Sequence, residues 1–429
     1  MWAATTAKIQ EVILEKLRKM ASDMIRNIIA DNMPRTAVQS TLKGHSFKGN
    51  VYLIAIGKAA WTMAKATSDY LGKRLLGGIV VTKYEHSQGE IPDVEIFEAG
   101  HPVSDENTII ATGKCVELAK SLTENDELIF LVSGGGSALF EMPLEGITLQ
   151  NIQDITNQLL ASGADIVEMN MIRKRLSAVK AGRFATIASP AKIFAVILSD
   201  VLGDRLDSIA SGPAAPDLST VEDTLRVVKK YNLKLTSLQS KYLAEETPKA
   251  VKNVETVITG SVRTLCQSAA NVAESKGYTP YVLTTTMNCE AAEAGRFLGR
   301  IAADTHAEKT FFAKPCVIIA GGETVVTLKG KGKGGRNQEL ALAAAREIAG
   351  LDDVLIFSLG SDGTDGPTDA AGGIVDGGTL SDLSTAGFDM DEVLLENDSY
   401  TALAAVDSLI ITGPTGTNVN DVAVVVIGG

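Results

Sequence analysis

Val51-Tyr52-Leu53-Ile54-Ala55-Ile56-Gly57-Lys58-Ala59 decides how the chain is read: a nearly uninterrupted apolar run, a glycine turn, then a helical stretch. The same order returns in Leu128 to Val132 before Ser133-Gly134-Gly135-Gly136-Ser137, and in Ile193 to Leu198 before Ser199-Asp200. It returns again in Val317 to Ala320 before Gly321-Gly322-Glu323, in Val354 to Phe357 before Gly360-Ser361-Asp362-Gly363, and in Leu409 to Thr412 before Gly413-Pro414. Short apolar runs without alternation suit strands buried on both faces, which means a parallel sheet covered by helices. The fold class is therefore α/β. In such sheets ligands bind outside the carboxyl ends of the strands, where these glycine turns lie.

Working outward, Ile9, Val12, Ile13, Leu17, Met20, Met24, Ile25 and Ile28 recur at helical spacing and predict an amphipathic helix packed on a core. The polar stretch Thr236 to Asn253 interrupts the apolar grammar and marks the expected domain boundary, giving domains 1–245 and 250–429. Two domains suit 429 residues, more than one core usually serves. With 52 acidic against 40 basic residues, a net charge of −12 disfavours nucleic acid as a partner. Cys115, Cys266, Cys289 and Cys316 form no close pair, against a disulfide framework or zinc site and in favour of a reducing cytoplasm. Met1 to Lys8 lacks the apolar core of a signal peptide, and no apolar run is long enough to span a membrane.

No Gly-Lys pair is followed by Ser or Thr, so a Walker A loop is excluded, and the protein-kinase H-R-D and D-F-G elements are missing. Gly330-Lys331-Gly332-Lys333-Gly334-Gly335 matches G-x-G-x-x-G between an expected strand, Thr324 to Leu328, and a helix beginning near Asn337. A dinucleotide-binding dehydrogenase is one reading, although Asp352 and Asp353 precede the next strand instead of ending it. The other reading counts charge: Lys329, Lys331, Lys333 and Arg336, with no acid among them, precede a helix start that favours anions. A second basic island runs from Asn170 through Arg173, Lys174, Arg175 and Lys180 to Arg183; on a continuous helix Arg173, Ser177 and Lys180 would share one anion-binding face.

Acidic clusters complement these islands. Ser199-Asp200-Val-Leu-Gly203-Asp204 and Ser361-Asp362-Gly363-Thr364-Asp365-Gly366 each follow an apolar run, and such carboxylates suit Mg²⁺. The second lacks the alternation and final Glu of an EF-hand. His45, His86, His101 and His306 have no metal-ligand spacing, and only His101, in Gly100-His101-Pro102, sits where it can line a site.

Taken together, Ala55-Ile-Gly57-Lys58-Ala59, Gly100-His101-Pro102, Ser133 to Leu139, Asn170-Met-Ile-Arg173-Lys174, Leu198 to Val201 and Ala210-Ser211-Gly212-Pro213 resemble the glycerate 2-kinases of the MOFRL type. The resemblance continues through Gly321-Gly322-Glu323-Thr324, Gly334-Gly335-Arg336-Asn337-Gln338-Glu339 and Ser361 to Gly366, covering essentially the whole chain. It implies a Rossmann-like N-terminal domain, a C-terminal MOFRL α/β domain and an active site in the cleft between them. It also implies transfer of phosphate from ATP, with Mg²⁺ or another divalent cation, to the 2-hydroxyl of D-glycerate. Lys58 and Arg336 match residues regarded as active-site groups of that family. Asp200 is the further catalytic candidate. Ser133, Gly134, Gly135, Gly136, Ser137, His101, Asn170, Arg173, Lys180, Gly321, Gly322, Glu323, Lys333 and Gly335 are candidates for binding substrate or nucleotide, and Asp362 and Asp365 for metal. The division of base and metal roles among Asp200, Asp204, Asp362 and Asp365 stays open. Related sequences also carry the name hydroxypyruvate reductase, so an NAD(P)H-dependent reductase is the alternative activity. The expected partners are small molecules, with neither nucleic acid nor membrane, and a homo-oligomer is compatible with the sequence.

Overall fold

A computed structural model of the protein describes residues 2–309 and 312–429, with side chains from residue 12 onward. The chain divides into two compact units, residues 34–259 and residues 1–33 with 260–429.

The first unit is built on a six-stranded sheet in the order β3-β2-β1-β4-β5-β6. Its strands are β1 (Asn50–Ile56), β2 (Leu75–Lys83), β3 (Val94–Ala99), β4 (Asp126–Val132), β5 (Lys192–Leu198) and β6 (Val254–Gly260). The pairings β1 to β2, β1 to β4, β2 to β3 and β4 to β5 are all parallel, as the continuous apolar runs require. Every residue of β4 is buried, and Ile54, Ile56, Phe130, Val132 and Ile197 enter one core with Cys115, Phe140 and Phe184. The chain leaves β1 for β2 and β3 on one side and returns to β4 on the other, so the order reverses between β1 and β4. That is the doubly wound arrangement, whose ligand crevice lies beyond the carboxyl ends of those two strands. A smaller apolar cluster joins helices Leu149–Ala161, Ile166–Leu176, Val221–Lys230 and Ser237–Leu243 through Ile152, Ile155, Leu159, Ile172, Leu176, Val227 and Leu243.

The second unit departs from the all-parallel expectation. Its sheet runs β11-β10-β9-β12-β8-β7, from β7 (Thr279–Met287), β8 (Cys316–Gly322), β9 (Val354–Gly360), β10 (Gly372–Asp376), β11 (Leu409–Ile410) and β12 (Asp421–Ile427). Only β7 with β8 is parallel; β12 pairs antiparallel with both β8 and β9. The apolar runs of β8 and β9 are continuous because helices cover the sheet, which buries both faces whatever the strand direction. Thr324 to Leu328 forms no strand; Val325 makes a single bridge to Glu290.

The expected boundary also shifts. Thr236 to Asn253 is integral to the first unit: Thr247 Oγ1 donates to Asp217 at 2.8 Å, and Asn253 Nδ2 to the carbonyls of Ala185 and Ala191, each at 3.0 Å. The N-terminal helix, Trp2–Asp31, buries Leu17, Met20, Met24, Ile25 and Ile28 as its spacing predicts, while Val12 is exposed. Met1 to Lys8 and Ile9 lie outside the described side chains. This helix belongs with the later unit, where Arg18 grips buried Asp376 with Nε at 3.0 Å and Nη2 at 2.5 Å. All four cysteines are free thiols. No described helix is long and apolar enough to cross a membrane.

Candidate active site

In the first unit the turns after β1 and β4 interlock. Ser133 Oγ donates to the Ile56 carbonyl at 3.2 Å and accepts from the Ala59 amide at 3.1 Å, and the Lys58 amide donates to the Gly134 carbonyl at 2.8 Å. Gly57 has φ +111°, and a Cβ there would overlap Ser133. Gly57→Ala is therefore expected to destabilise the unit by about 2–4 kcal/mol, read as a lower unfolding midpoint. Gly134 lies against the Asp200 carboxylate, and a Cβ on Gly135 (φ +86°) would stand 2.9 Å from His101 Cδ2 and 3.3 Å from Lys58 Cγ. These absent side chains bring Lys58, His101 and Asp200 against one glycine loop. The amides of Gly134 and Gly135 donate no hydrogen bond to any described residue, leaving two adjacent N–H groups for an anion.

His101 is held below its ordinary pKa, first by burial and then by the positive charge of Lys58. It is therefore neutral at pH 7, as expected where the local field is positive. The Lys58 ammonium has no carboxylate partner among the described residues. A cavity of about 200 Å³ is lined by Ser133 to Ser137, Asn170, Arg173 and Asp200, with Ser208 and Ala210 closing one side.

The basic island is more divided than a single helical face. The helix ends at Leu176, because the chain turns out to pair beside Pro143: the Leu144 amide donates to the Leu176 carbonyl at 2.9 Å and that of Ala178 to Met142 at 2.7 Å. Lys180 consequently lies off the helix and wholly buried, bonded to Glu141 and, at 2.8 Å, to the Ser137 carbonyl. Burial pulls its pKa down to about 8, opposed by Glu141. It holds the glycine loop from behind and does not face the cavity. Arg183 caps the helix by donating to the Lys174 and Ser177 carbonyls, each at 2.7 Å. Asn170 and Arg173 are the members that line the cavity.

The second unit assembles a different cluster. Arg336 opens helix Arg336–Glu347; its Nε and Nη2 donate to Asp421 at 2.6 and 3.1 Å, and its Nη1 to Glu323 at 2.7 Å. Three of its five N–H groups are thus committed, the plane is fixed, and two donors remain. Burial pushes Asp421 up to about 6 against the pull of Arg336. Asp365 accepts from the Asn337 and Gln338 amides at 3.2 and 2.9 Å and from the Gln338 side chain at 3.0 Å. The helix N-terminus does attract an anion, as its sequence suggested, but the anion is the protein's own Asp365. With both its oxygens accepting, Asp365 does not fit a metal ligand. Asp362 accepts one backbone bond, from Thr364 at 3.0 Å. No set of three or more potential ligands is gathered among the described residues. One carboxylate fits a cation that arrives with phosphate oxygens, as Mg²⁺ does, and not a metal caged by protein.

The Gly330 to Gly335 segment packs on residues 396–399. The amides of Lys329 and Gly330 donate to Asn397 Oδ1, that of Gly332 to the Glu396 carbonyl and that of Lys333 to Asp398, at 2.7 to 3.1 Å. Its glycines permit this close approach, and the amides of residues 329, 330, 332 and 333 are occupied within the protein. The Lys333 ammonium stands 4.0 Å over the Tyr400 ring. Gly321 and Gly322 are buried in β8, where a Cβ would overlap Val262 and Met287; Gly335 abuts Asp365.

The expected residues therefore form two sets. Lys58, His101, Ser133 to Ser137, Asn170, Arg173 and Asp200 gather in the first unit, and Glu323, Gly335, Arg336, Asp362 and Asp365 in the second. Sequence reasoning missed Glu141, which stands alone, and Asp421, whose signal was the apolar run Val422 to Ile427 immediately after it.

Comparison with known proteins follows this division. Residues 19–244 match the family described as a domain of unknown function (DUF4147), and residues 316–421 match the MOFRL family. A D-glycerate 2-kinase of Thermotoga maritima is 52% identical over 96% of this chain and 98% of its own. A glycerate 2-kinase of Pyrococcus horikoshii is 43% identical over 90% and 89%, and a putative hydroxypyruvate reductase of Agrobacterium vitis is 37% identical over 89% and 100%. A crystal structure of glycerate kinase from Thermotoga maritima superposes with a TM-score of 0.93 at 52% identity, covering 96% of this chain and all of that one.

Proposed function

The chain belongs to the MOFRL-type glycerate 2-kinase family, and from that premise we propose that it transfers the γ-phosphoryl group of ATP to the 2-hydroxyl of D-glycerate, giving 2-phosphoglycerate and ADP. One observation carries the reading: at the β1/β4 switch point a glycine loop with unused amides is flanked by two cations, Lys58 and Arg173, that have no carboxylate partner among the described residues.

Phosphoryl transfer asks little covalent chemistry of a protein; it requires alignment and stabilisation of the charge on the transferring group. In the first unit Lys58, beside the glycine loop, is suited to that charge stabilisation; in the second, Arg336 keeps two uncommitted N–H groups that can donate to an anion. Asp200 accepts the proton as the 2-hydroxyl oxygen bonds to phosphorus and the bond to ADP breaks. A divalent cation bound with the nucleotide would neutralise phosphate oxygens, with Asp362 as its protein ligand. Four free thiols suit operation in a reducing cytoplasm.

Incubation with ATP, Mg²⁺ and D-glycerate is expected to release ADP only when glycerate is present, and phosphorus NMR to place the phosphate on the 2-oxygen. Absence of glycerate-dependent ADP sinks the proposal. Oxidation of NADH or NADPH by hydroxypyruvate, or the reverse reduction of NAD⁺ or NADP⁺ by glycerate, would move the assignment to the reductase.

A further inference from the structure

Residues 170–183 carry five basic side chains, and four are consumed internally. Lys174 lies 3.2 Å from Asp207 and 3.5 Å from Asp217. Arg175 donates to Thr224 Oγ1, the Glu245 carbonyl and the Ser219 carbonyl at 2.5 to 3.0 Å. Lys180 holds Glu141 and Ser137, and Arg183 caps the helix. Arg173 alone of the five has neither a hydrogen-bond acceptor nor a carboxylate among the described residues, although its Nε is buried from solvent. A guanidinium in that state forfeits water on one side without a replacement, a cost that an arriving anion removes.

Its neighbour one helical turn earlier is matched to the same task. Asn170 is buried, and its Oδ1 accepts from Ser211 Oγ at 3.3 Å. That bond turns the side-chain NH₂, a pure donor, to the other side, and no described residue accepts from it. Arg173 and Asn170 line the same cavity as Asp200, the one carboxylate among its lining residues. The lining thus offers donors for an anion and, in Asp200, a carboxylate to which a hydroxyl can donate. A short acid with its hydroxyl on the carbon beside the carboxylate presents those two groups.

We infer that Arg173, aided by the Asn170 amide, binds the carboxylate of the acceptor and restricts this enzyme to small 2-hydroxy acids. The inference rests on the phosphotransferase reading for its substrate and goes beyond it by assigning the group that distinguishes an acid from a polyol. Arg173 contacts the carboxylate and not the transferring phosphate, so its loss should appear mainly in acceptor binding.

The test compares wild-type protein with Arg173→Gln and Arg173→Lys. Arg173→Gln is expected to raise the KM for D-glycerate roughly 30- to 100-fold, with the KM for ATP within about twofold and kcat reduced less than about tenfold. Preference for D-glycerate over glycerol, which replaces the carboxylate by a hydroxymethyl group, should fall by a similar factor. Arg173→Lys keeps the charge without the fork and should recover part of the loss. Calorimetric titration with D-glycerate in the absence of ATP gives a Kd independent of turnover, and thermal melting checks that each variant is folded. An unchanged KM and Kd for D-glycerate in a folded Arg173→Gln protein overturns the inference. So does a raised KM for ATP alone, which would assign the arginine to the nucleotide. Wild-type protein that binds D-glycerate through Arg173 but releases no ADP would remove the kinase reading and leave the carboxylate site standing.

Discussion

Replacing Lys58 with methionine is expected to lower kcat roughly 10²- to 10³-fold, the typical loss when one charged donor to a transition state is removed. The melting temperature should stay within about 2 °C of the parent, because the ammonium makes no ion pair with a described residue and methionine preserves the stem beside Gly135. A side chain that acts only on the ligand can be removed without unfolding its surroundings. The same substitution supplies a spectroscopic check. Lys58 is the second cause, after burial, of the depressed His101 pKa. Removing that positive charge should move the His101 titration upward in NMR, with burial still holding it below the ordinary histidine value. An unchanged kcat would end the assignment of Lys58 to phosphoryl transfer.

Arg336→Ala is expected to act differently. The sequence resemblance treats Arg336 and Lys58 alike, as active-site groups. The structure separates them, because Arg336 also neutralises Asp421, whose side chain is only 5% exposed. Breaking a buried pair by removing one partner costs about 3–5 kcal/mol, and a third of the arginine side chain is exposed, so about 2–3 kcal/mol is expected. Activity should fall about 10³-fold as well. The deficit should depend on pH. Burial already raises Asp421 to about 6, and without the guanidinium it rises further. A carboxyl whose folded pKa exceeds its unfolded value, about 3.9, contributes stability that is present below the unfolded pKa and is lost as pH rises through the folded one. Chemical denaturation should therefore show a smaller deficit at pH 5 than at pH 8. Adding Asp421→Asn to Arg336→Ala should restore most of the stability and none of the activity. If the double variant remains as unstable as the single one, the carboxylate is not the cause.

How much was legible beforehand depends on distance along the chain. Strands β1, β4 and β5 with the turns after them, and the helix opening at Arg336, were readable because each is written in consecutive residues, whereas β2, β3 and β6 were not read. The turns carrying Lys58, Ser133 to Ser137 and Asp200 were expected to face ligand because they follow strands, and the adjacency of β1, β4 and β5 is what brings them together. Asp365 shows the limit. Its composition suggested a metal ligand, yet whether a carboxylate meets a cation or a helix terminus depends on which element folds against it, here residues 336–338 from almost thirty positions away. Lys180 is the same case: helical spacing put it beside Arg173, and pairing at Pro143 ended the helix before it.

The sequence by itself determined the α/β class, the glycine loops at strand ends and the two basic islands, because apolar period and local charge are properties of neighbouring residues. Only the tertiary structure decided strand direction in the second sheet, the attachment of residues 1–33 to the later unit, and the employment of each charge. Burial and pairing are set by residues far apart in the chain. They turned Lys180 and Asp365 into supports, tied Arg336 to Asp421, and left Lys58 and Arg173 without a carboxylate partner among the described residues.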